Sequence, residues 1–368
     1  MLYLPDHRVE KAAYLSKKAN HKVYFAGNVK ENFQSTNFDG IFNIPITPKN
    51  KLGYNLTPLL ENLQKLIREY DFDVIHASNI YCAIIADKLN IPLIFDDREF
   101  YSYEMNFLPI FSGKLKDSVA NLLMRIRYPQ MEKKIIRKWP MITVSNEIIK
   151  MYKKINPKTN GYYFPNMPLL SEVKNFNPKN KGKNAELKTM YVGLNDFSKK
   201  ISYRDTTGLL PLWINNKLGE LVIIGDRFLK SNENIISTGF ISQEEVYNQL
   251  LTGHLGLIGW HPHPYHKICS LNKIYNYIHS GLEIIYPHTL TVGDEIAEVY
   301  SKELERPFGF KFKEFNEIVD YISKNKTQIL KNNSLEINRI ARENFILNNY
   351  QNNLFDAYTH AIEIHNKK

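Results

Sequence analysis

CSLNKIYNYIHSGLEIIYP, residues 269–287, runs from a polar loop through a helical segment and a Ser-Gly stop into an apolar strand. Ser270, Asn272 and Lys273 fall where loop becomes helix, and Asn276 lies about one turn further on. Loop, helix and buried-type strand in that order form one unit of an α/β core. In open parallel sheets such a junction can also hold a ligand, because loops and helix N-termini converge beyond the carboxyl ends of the strands.

The same alternation continues on both sides. Apolar runs LKTMYVG (187–193), ELVIIGD (220–226), NIISTGF (234–240) and HLGLIGW (254–260) precede the stretch, with helical segments near 206–216 and 242–251. Helices over 294–304, 314–331 and 334–364 are predicted to close the chain. The first half repeats the pattern. HRVEKAAYLSKKA (7–19) has helical spacing, HKVYFAG (21–27) reads as a strand, and in 54–70 Leu59, Leu60, Leu63, Leu66 and Ile67 share one helix face. FDVIHAS (72–78), IPLIFDD (91–97) and PMITVS (140–145) are strand-type runs, with helical segments at 80–89 and 113–138. Strands alternating with helices through short loops specify parallel sheets covered on both faces, so the class is α/β. FPNMPLL (164–170) interrupts the alternation with two prolines, and 171–187 is polar, Lys/Asn-rich and aperiodic, which reads as a linker between two domains.

Composition narrows the function. With 368 residues, 43% hydrophobic and 23% charged, the chain is globular and long enough for two cores. Two cysteines, Cys82 and Cys269, give neither a disulfide framework nor a metal cluster and suit a reducing compartment. The net charge of +10 favours polyanionic partners, but no nucleic-acid-binding signature accompanies it, so no nucleic-acid partner is expected. No stretch reaches the about 20 apolar residues of a membrane span, and MLYLPDHRVEK is not a secretory signal. A cytoplasmic protein is expected.

Residues just after each strand are the candidate contacts. YVGLNDFSKKISYRD (191–205) sets Gly193 before Lys199, Lys200 and Arg204, a pattern that can cradle a diphosphate or be a surface loop with solvated lysines. Neither G-x-G-x-x-G nor G-K-[ST] is present. WHPHPYHK (260–267) holds three histidines without metal-ligand spacing, so no metal site is expected and a substrate-facing loop is. FDDREF (95–100) gathers three carboxylates and Arg98, either as a salt-bridged loop or as an acceptor or phosphate contact.

In order along nearly the whole chain, these segments resemble GT-B glycosyltransferases, most closely family 4. DHRVEKAAYLSKKANHKV (6–23) resembles the family's D-x-R-V-E-K-E-A helix, and FDVIHAS its D-V-I-H-A-H strand. IPLIFDDREFYSYE (91–104) is similar to Y-D-x-H-E-L-F-x-E, ITVSNEIIKMY (142–152) to T-V-S-x-x-I, and YYFPNMP (162–168) to P-N-x-P. The opening stretch resembles P-N-K-x-x-E-Y-x-x-x-G-x-P-V-I.

The resemblance implies two Rossmann-like domains facing across a cleft, with the first strand of the N-terminal domain nearly absent. The expected boundaries are 1–167 for the acceptor-side domain, 168–187 for the linker, 188–339 for the nucleotide-sugar domain, and 340–368 for a helix crossing back to the first. It implies transfer of a sugar from a nucleotide-sugar donor to an acceptor hydroxyl in polysaccharide, glycolipid or glycan synthesis, retaining and metal-independent, with the donor as co-substrate and no cofactor. Carried over residue by residue, Gly193, Lys199, Lys200, Arg204, Asp226, Phe240, Ile241, Ser270, Asn272 and Lys273 are donor-side. Arg98, Glu99 and Asn276 fall on catalytic positions, and His76 and Asp97 are acceptor-side.

Some positions depart from the family. Arg98 replaces the histidine of Y-D-x-H-E, Asn276 and Ile268 replace its two glutamates, and Leu194 replaces an arginine. These departures also fit a second reading, a catalytically silent protein that binds a nucleotide sugar or partners an active transferase. RIRYPQMEKKIIRKW (125–139) is strongly basic, with Ile126, Met131, Ile135, Ile136 and Trp139 as its apolar component. The resemblance implies a peripheral docking surface within 113–139 on the inner face of the membrane, toward a lipid-linked acceptor; by its residues alone the segment reads equally as a helix with one packed face and solvated lysines.

Overall fold

Asp6 starts the first helix, His7–Lys18, by accepting from the backbone N–H groups of Arg8 and Val9, which would otherwise lack partners at a helix N-terminus. The computed structural model describes residues 3–4, 6–47, 56–108, 115–175, 177–179, 186–193, 202–226 and 229–367. Contacts divide the chain into two units: Met1–Pro165 with Tyr350–Lys368, and Asn166–Asn349.

The first unit holds two parallel sheets. Strands β1 (Tyr3–Leu4), β2 (Tyr24–Val29) and β3 (Gly40–Asn43) form one, in that order. The opening strand, expected to be nearly absent, is therefore present as two residues, with Leu4 buried among Ala13, Phe25 and Phe38. Strands β4 (Ile75–Ala77), β5 (Leu93–Asp97), β6 (Met141–Thr143) and β7 (Gly161–Tyr163) form the other. Every residue of β5 is buried, as its near-continuous apolar run requires of a strand covered on both faces. The last helix, Gln351–Asn366, belongs to this unit and packs on its sheet, where Tyr358 meets His76 and Asn353 bonds the Tyr163 carbonyl.

The second unit is one six-stranded parallel sheet. Its strands are β8 (Lys188–Val192), β9 (Glu220–Ile224), β10 (Ile235–Gly239), β11 (Leu255–Leu257), β12 (Glu283–Pro287) and β13 (Phe310–Phe312). Their order in space is β10-β9-β8-β11-β12-β13. This is the 3-2-1-4-5-6 order of a Rossmann-like sheet, and the direction of winding reverses between β8 and β11. Ligands of such sheets bind outside the carboxyl ends at that reversal, here the ends at Val192 and Leu257. The stretch expected to be a linker is tied into this unit, with Arg342 donating to the Val173 carbonyl and Asn177.

Three strands escape the sequence reading: β3, β7 and β13. Each lies at a sheet edge, where half-exposed positions replace the apolar run that betrays a central strand. The single helix expected over 334–364 is two, Ser334–Asn344 and Gln351–Asn366, parted by a 3-10 turn at Leu347–Tyr350. There Phe345, Ile346 and Leu347 are all buried, a run that one side of an amphipathic helix cannot supply, and Leu347 donates to the Pro168 carbonyl.

Candidate active site

Strand β8 ends at Val192–Gly193, and the helix Asn272–His279 begins beside it. Lys273, the second residue of that helix, donates from Nζ to the Val192 carbonyl at 3.0 Å. Its ammonium lies over two rings, 4.3 Å from the centroid of Trp260 and 4.7 Å from that of Tyr191. Burial, reinforced by the nearby charge of Arg204, pushes its pKa down to about 7. A side chain at Gly193 would put its Cβ 3.4 Å from that ammonium, so glycine keeps the approach to Lys273 open. The first residue before the helix, Leu271, supplies no side-chain cap, which leaves its leading N–H groups without that partner.

Tyr277, one turn further on, fixes the reversal point. Its hydroxyl accepts from Val192 N–H at 2.9 Å and donates to the Leu257 carbonyl at 3.1 Å, bridging the carboxyl ends of β8 and β11. The ring needs Gly256 beneath it, because a Cβ there would sit 2.2 Å from the ring. Trp260 donates to the Tyr191 hydroxyl at 3.3 Å, which holds both rings around Lys273.

The other residues expected on the donor side differ in their placement. Arg204 is exposed on the 3-10 turn Ser202–Arg204, its guanidinium 5.9 Å from the Trp260 ring centroid. Phe240 stands 67% exposed at the end of β10, following Gly239 with a φ of 67°, and Ile241 beside it is half-buried. Asn272 is exposed at the head of the helix. Asp226 is buried, and its carboxylate accepts from Leu229 N–H. Ser270 is buried too, and the Asn166 amide donates to its carbonyl. Asn276 is half-buried, with its side-chain oxygen accepting from the Tyr247 hydroxyl at 2.8 Å. Lys199 and Lys200 lie outside the described residues.

Of the three histidines in the loop expected to face a substrate, His261 and His263 are half-buried and His266 is buried. His266 is fully buried, its Nε2 2.6 Å from the Tyr203 carbonyl and its Nδ1 3.0 Å from the Thr289 hydroxyl. Burial drives its pKa down to about 4, so the ring is neutral, donating through Nε2 and accepting at Nδ1. His261 bonds the Thr207 carbonyl and stacks on Phe315. These imidazoles brace the turn that carries Arg204. Among the described residues no group of three metal-ligating side chains occurs.

In the first unit the residues at the end of β5 separate into two buried clusters. Asp96 takes both Nε and Nη2 of Arg8 at 2.8–2.9 Å, with His76 at 3.4 Å. Burial would raise its pKa, but the Arg8 charge, the His76 bond and the Arg98 charge hold it far below the ordinary carboxylate range. Arg98 is engaged by Asp6 through two contacts, 3.1 and 2.9 Å, so it steadies the cap of the first helix. Asp97 turns the other way, accepting from the N–H groups of Glu99 and Phe100 and from the Tyr152 hydroxyl at 2.8 Å. Those bonds hold Phe100 in a left-handed conformation, φ 43°. Glu132 lies behind, accepting from Ser102 N–H. Burial pushes Asp97 up to about 6, and burial with the Asp97 charge pushes Glu132 up to about 8. Of the four residues expected on this side, Glu99 is exposed, His76 and Arg98 are half-buried, and Asp97 is sealed in the core.

No protein-family model matches the sequence, and no curated protein matches it. Solved structures do. Sucrose-phosphate synthase from Thermosynechococcus elongatus superposes with a TM-score of 0.66 at 11% identity, over 96% of this chain and 92% of that one. Anabaena Alr3699/HepE, solved in complex with UDP, gives 0.62 at 12%, over 97% of each chain. WaaG, a glycosyltransferase involved in lipopolysaccharide biosynthesis, gives 0.61 at 13%, over 96% and 95%. The chain has the GT-B fold. In GT-B terms, the second unit carries the cluster around Lys273, and the first unit carries the Asp96 and Asp97 clusters.

Of the residues the structure brings together here, sequence reasoning names Lys273, Arg204 and Gly193 but passes over Tyr191 and Tyr277. The available signal is Gly256 inside an otherwise apolar β11, since glycine in a central strand marks a close approach, here that of the Tyr277 ring.

Proposed function

We propose that this chain is a glycosyltransferase that takes its sugar from a nucleotide-diphosphate donor bound in the second unit. The observation that carries the reading is Lys273, a desolvated lysine held over Tyr191 and Trp260 at the reversal point of the sheet. A lysine that loses about three pH units of basicity is costly to keep charged, and a diphosphate beside it restores the charge. In this proposal Lys273, Arg204 and the uncapped N-terminus of the helix Asn272–His279 neutralise the departing diphosphate. That is the electrostatic work a metal ion does elsewhere, and it supports a metal-independent reaction without a cofactor. Phe240 and Ile241 would border the base, and Ser270 and Asn272 the phosphates.

The retaining outcome and a glycan or lipid-linked acceptor follow from the family 4 resemblance. The acceptor side is assigned to the first unit, with His76 in β4 and Arg98 and Glu99 after β5. UDP, which HepE holds, is the first nucleotide to test. Incubation with UDP-, GDP-, ADP- and dTDP-sugars, with released nucleotide as the readout, tests the proposal. Release from at least one donor that falls at least tenfold in Lys273→Ala is expected; no release from any donor refutes the enzyme reading.

A second reading is favoured by two bonds. Arg98 is occupied by Asp6, and the Asn276 oxygen by Tyr247. Two of the positions that differ from the family are thus committed within the protein, which suits a domain that binds a nucleotide sugar without turning it over. Measurable donor binding without release in the same panel is its signature.

A further inference from the structure

The carbonyls of Tyr203, Asp205 and Thr207 all end on the histidine-bearing loop 260–266. His266 donates from Nε2 to Tyr203 at 2.6 Å, and His261 donates from its backbone N–H to Asp205 and from Nε2 to Thr207, both at 2.7 Å. A carbonyl oxygen only accepts, so both imidazoles carry a proton on Nε2. The second nitrogen of His266 is engaged as well. Its Nδ1 lies 3.0 Å from the Thr289 hydroxyl, which donates to it and accepts from His263 N–H at 3.2 Å. Thr289 follows β12, so one buried ring ties the end of that strand to the turn Ser202–Arg204. The Tyr203 ring packs on buried Tyr265 with centroids 4.4 Å apart, a further fastening of the same turn. The turn itself is three residues of 3-10 helix, a form with poorer hydrogen-bond geometry than the α-helix. Arg204 at its end is exposed and long, so where its guanidinium can reach depends on where that backbone is held.

We propose that His266, oriented by Thr289, and His261 are positioning residues for the donor diphosphate, acting through Arg204. This rests on the reading that a nucleoside diphosphate binds beside Lys273, and it gives the histidines a part other than contact with a substrate or a metal. Neither imidazole touches the diphosphate; each fixes the backbone from which Arg204 reaches it. Histidine suits the place for two reasons. A rigid ring with a donor at one end and an acceptor at the other spans Tyr203 and Thr289 without the rotamer freedom of a longer polar side chain. A neutral ring also adds no positive charge beside Arg204 and Lys273, which already repel each other. Support of this kind matters because a small displacement of a charged contact is costly to the ligand it serves.

Titration of the full-length protein and its variants with UDP, GDP, ADP and dTDP tests it. His266→Leu keeps the bulk but strips the Tyr203 carbonyl of its donor, and it should weaken the nucleotide that wild type binds best by about fivefold or more. His266→Gln, whose terminal amide can donate to the same carbonyl, should recover most of that loss. Thr289→Val keeps the shape but not the hydroxyl, and it should weaken binding by about threefold. With Arg204→Ala already in place, His266→Leu should change binding by less than about twofold, because the residue it positions is gone. Binding that Lys273→Ala weakens while His266→Leu and Thr289→Val do not would overturn the positioning role and leave the donor reading standing. An equal loss from His266→Leu with and without Arg204, or no recovery in His266→Gln, would overturn it too, in favour of a general effect on the fold. If His266→Leu does not fold, the cycle of Thr289→Val with Arg204→Ala decides by the same criterion. No binding of any nucleotide by wild type overturns the donor reading and this role together.

Discussion

Replacing Lys273 by methionine should make the unliganded protein more stable and its donor site worse. The drop in pKa from 10.5 to about 7 sets the ceiling. At about 1.4 kcal/mol for each pH unit, holding the ammonium in its enclosed position costs the fold up to about 5 kcal/mol at pH 6. Losing the bond to the Val192 carbonyl and the two ring contacts offsets about 2–4 kcal/mol of that. The net gain is about 1–3 kcal/mol, or about 2–4 °C in Tm for each kcal/mol. The pH dependence fixes the cause. Between pH 7 and 10.5 the unfolded chain keeps the Lys273 proton and the folded chain has lost it, so wild-type stability climbs with pH across that window. The methionine variant lacks this climb, so its advantage is greatest below pH 7 and shrinks above. Donor binding moves oppositely, because a charge-assisted contact to phosphate disappears, with a loss of about 1.5–3 kcal/mol, or about 10- to 150-fold in Kd. Thermal melting from pH 6 to 9 and titration with the best nucleotide sugar read both effects. A variant less stable than wild type at pH 6, or one whose donor Kd is unchanged, would refute the reasoning.

Two further expectations concern other buried groups. Tyr277→Phe keeps the ring over Gly256 but strips the Val192 N–H and the Leu257 carbonyl of their shared partner, so chemical denaturation should show a loss of about 1–3 kcal/mol and donor affinity should fall with it. Glu132 holds its proton to about pH 8 in the fold, while the unfolded chain releases it near the ordinary glutamate value of 4.5, so it makes the protein lose stability as pH rises between those values. Glu132→Gln, whose oxygen can still accept from Ser102, should flatten that fall in denaturation midpoints measured at pH 5, 6.5 and 8.

What the sequence disclosed tracks burial. Strands covered on both faces, such as 93–97 and 283–287, announce themselves as apolar runs, and the alternation with helices gives the α/β class directly. The edge strands Gly40–Asn43, Gly161–Tyr163 and Phe310–Phe312 carry no such run and pass as loop. In the candidate site, Gly193 and Arg204 were legible because a glycine and cations after a strand are a recognisable pattern, and the family resemblance pointed to Lys273. Its surroundings were not, since Tyr191 lies inside a strand and Tyr277 inside a helix, where aromatic residues read as core. Asp97 shows the converse. A carboxylate at a strand end invites a functional reading, and only the structure shows its bonds to Glu99, Phe100 and Tyr152, which anchor the backbone there. Only the spatial pairing tells Asp96, clasped by Arg8, from its neighbour.

The central claim is that a nucleoside diphosphate binds against Lys273. Calorimetric titration of the protein with UDP, GDP, ADP and dTDP at pH 7.5, in buffers of differing ionisation enthalpy, tests it most directly. A free lysine with a pKa of about 7 is mostly neutral there, and a diphosphate beside it draws a proton back. Binding of at least one nucleotide with uptake of about half a proton or more beyond that of Lys273→Met is the expected result. No binding by any of the four, or the same proton uptake in both proteins, would contradict it.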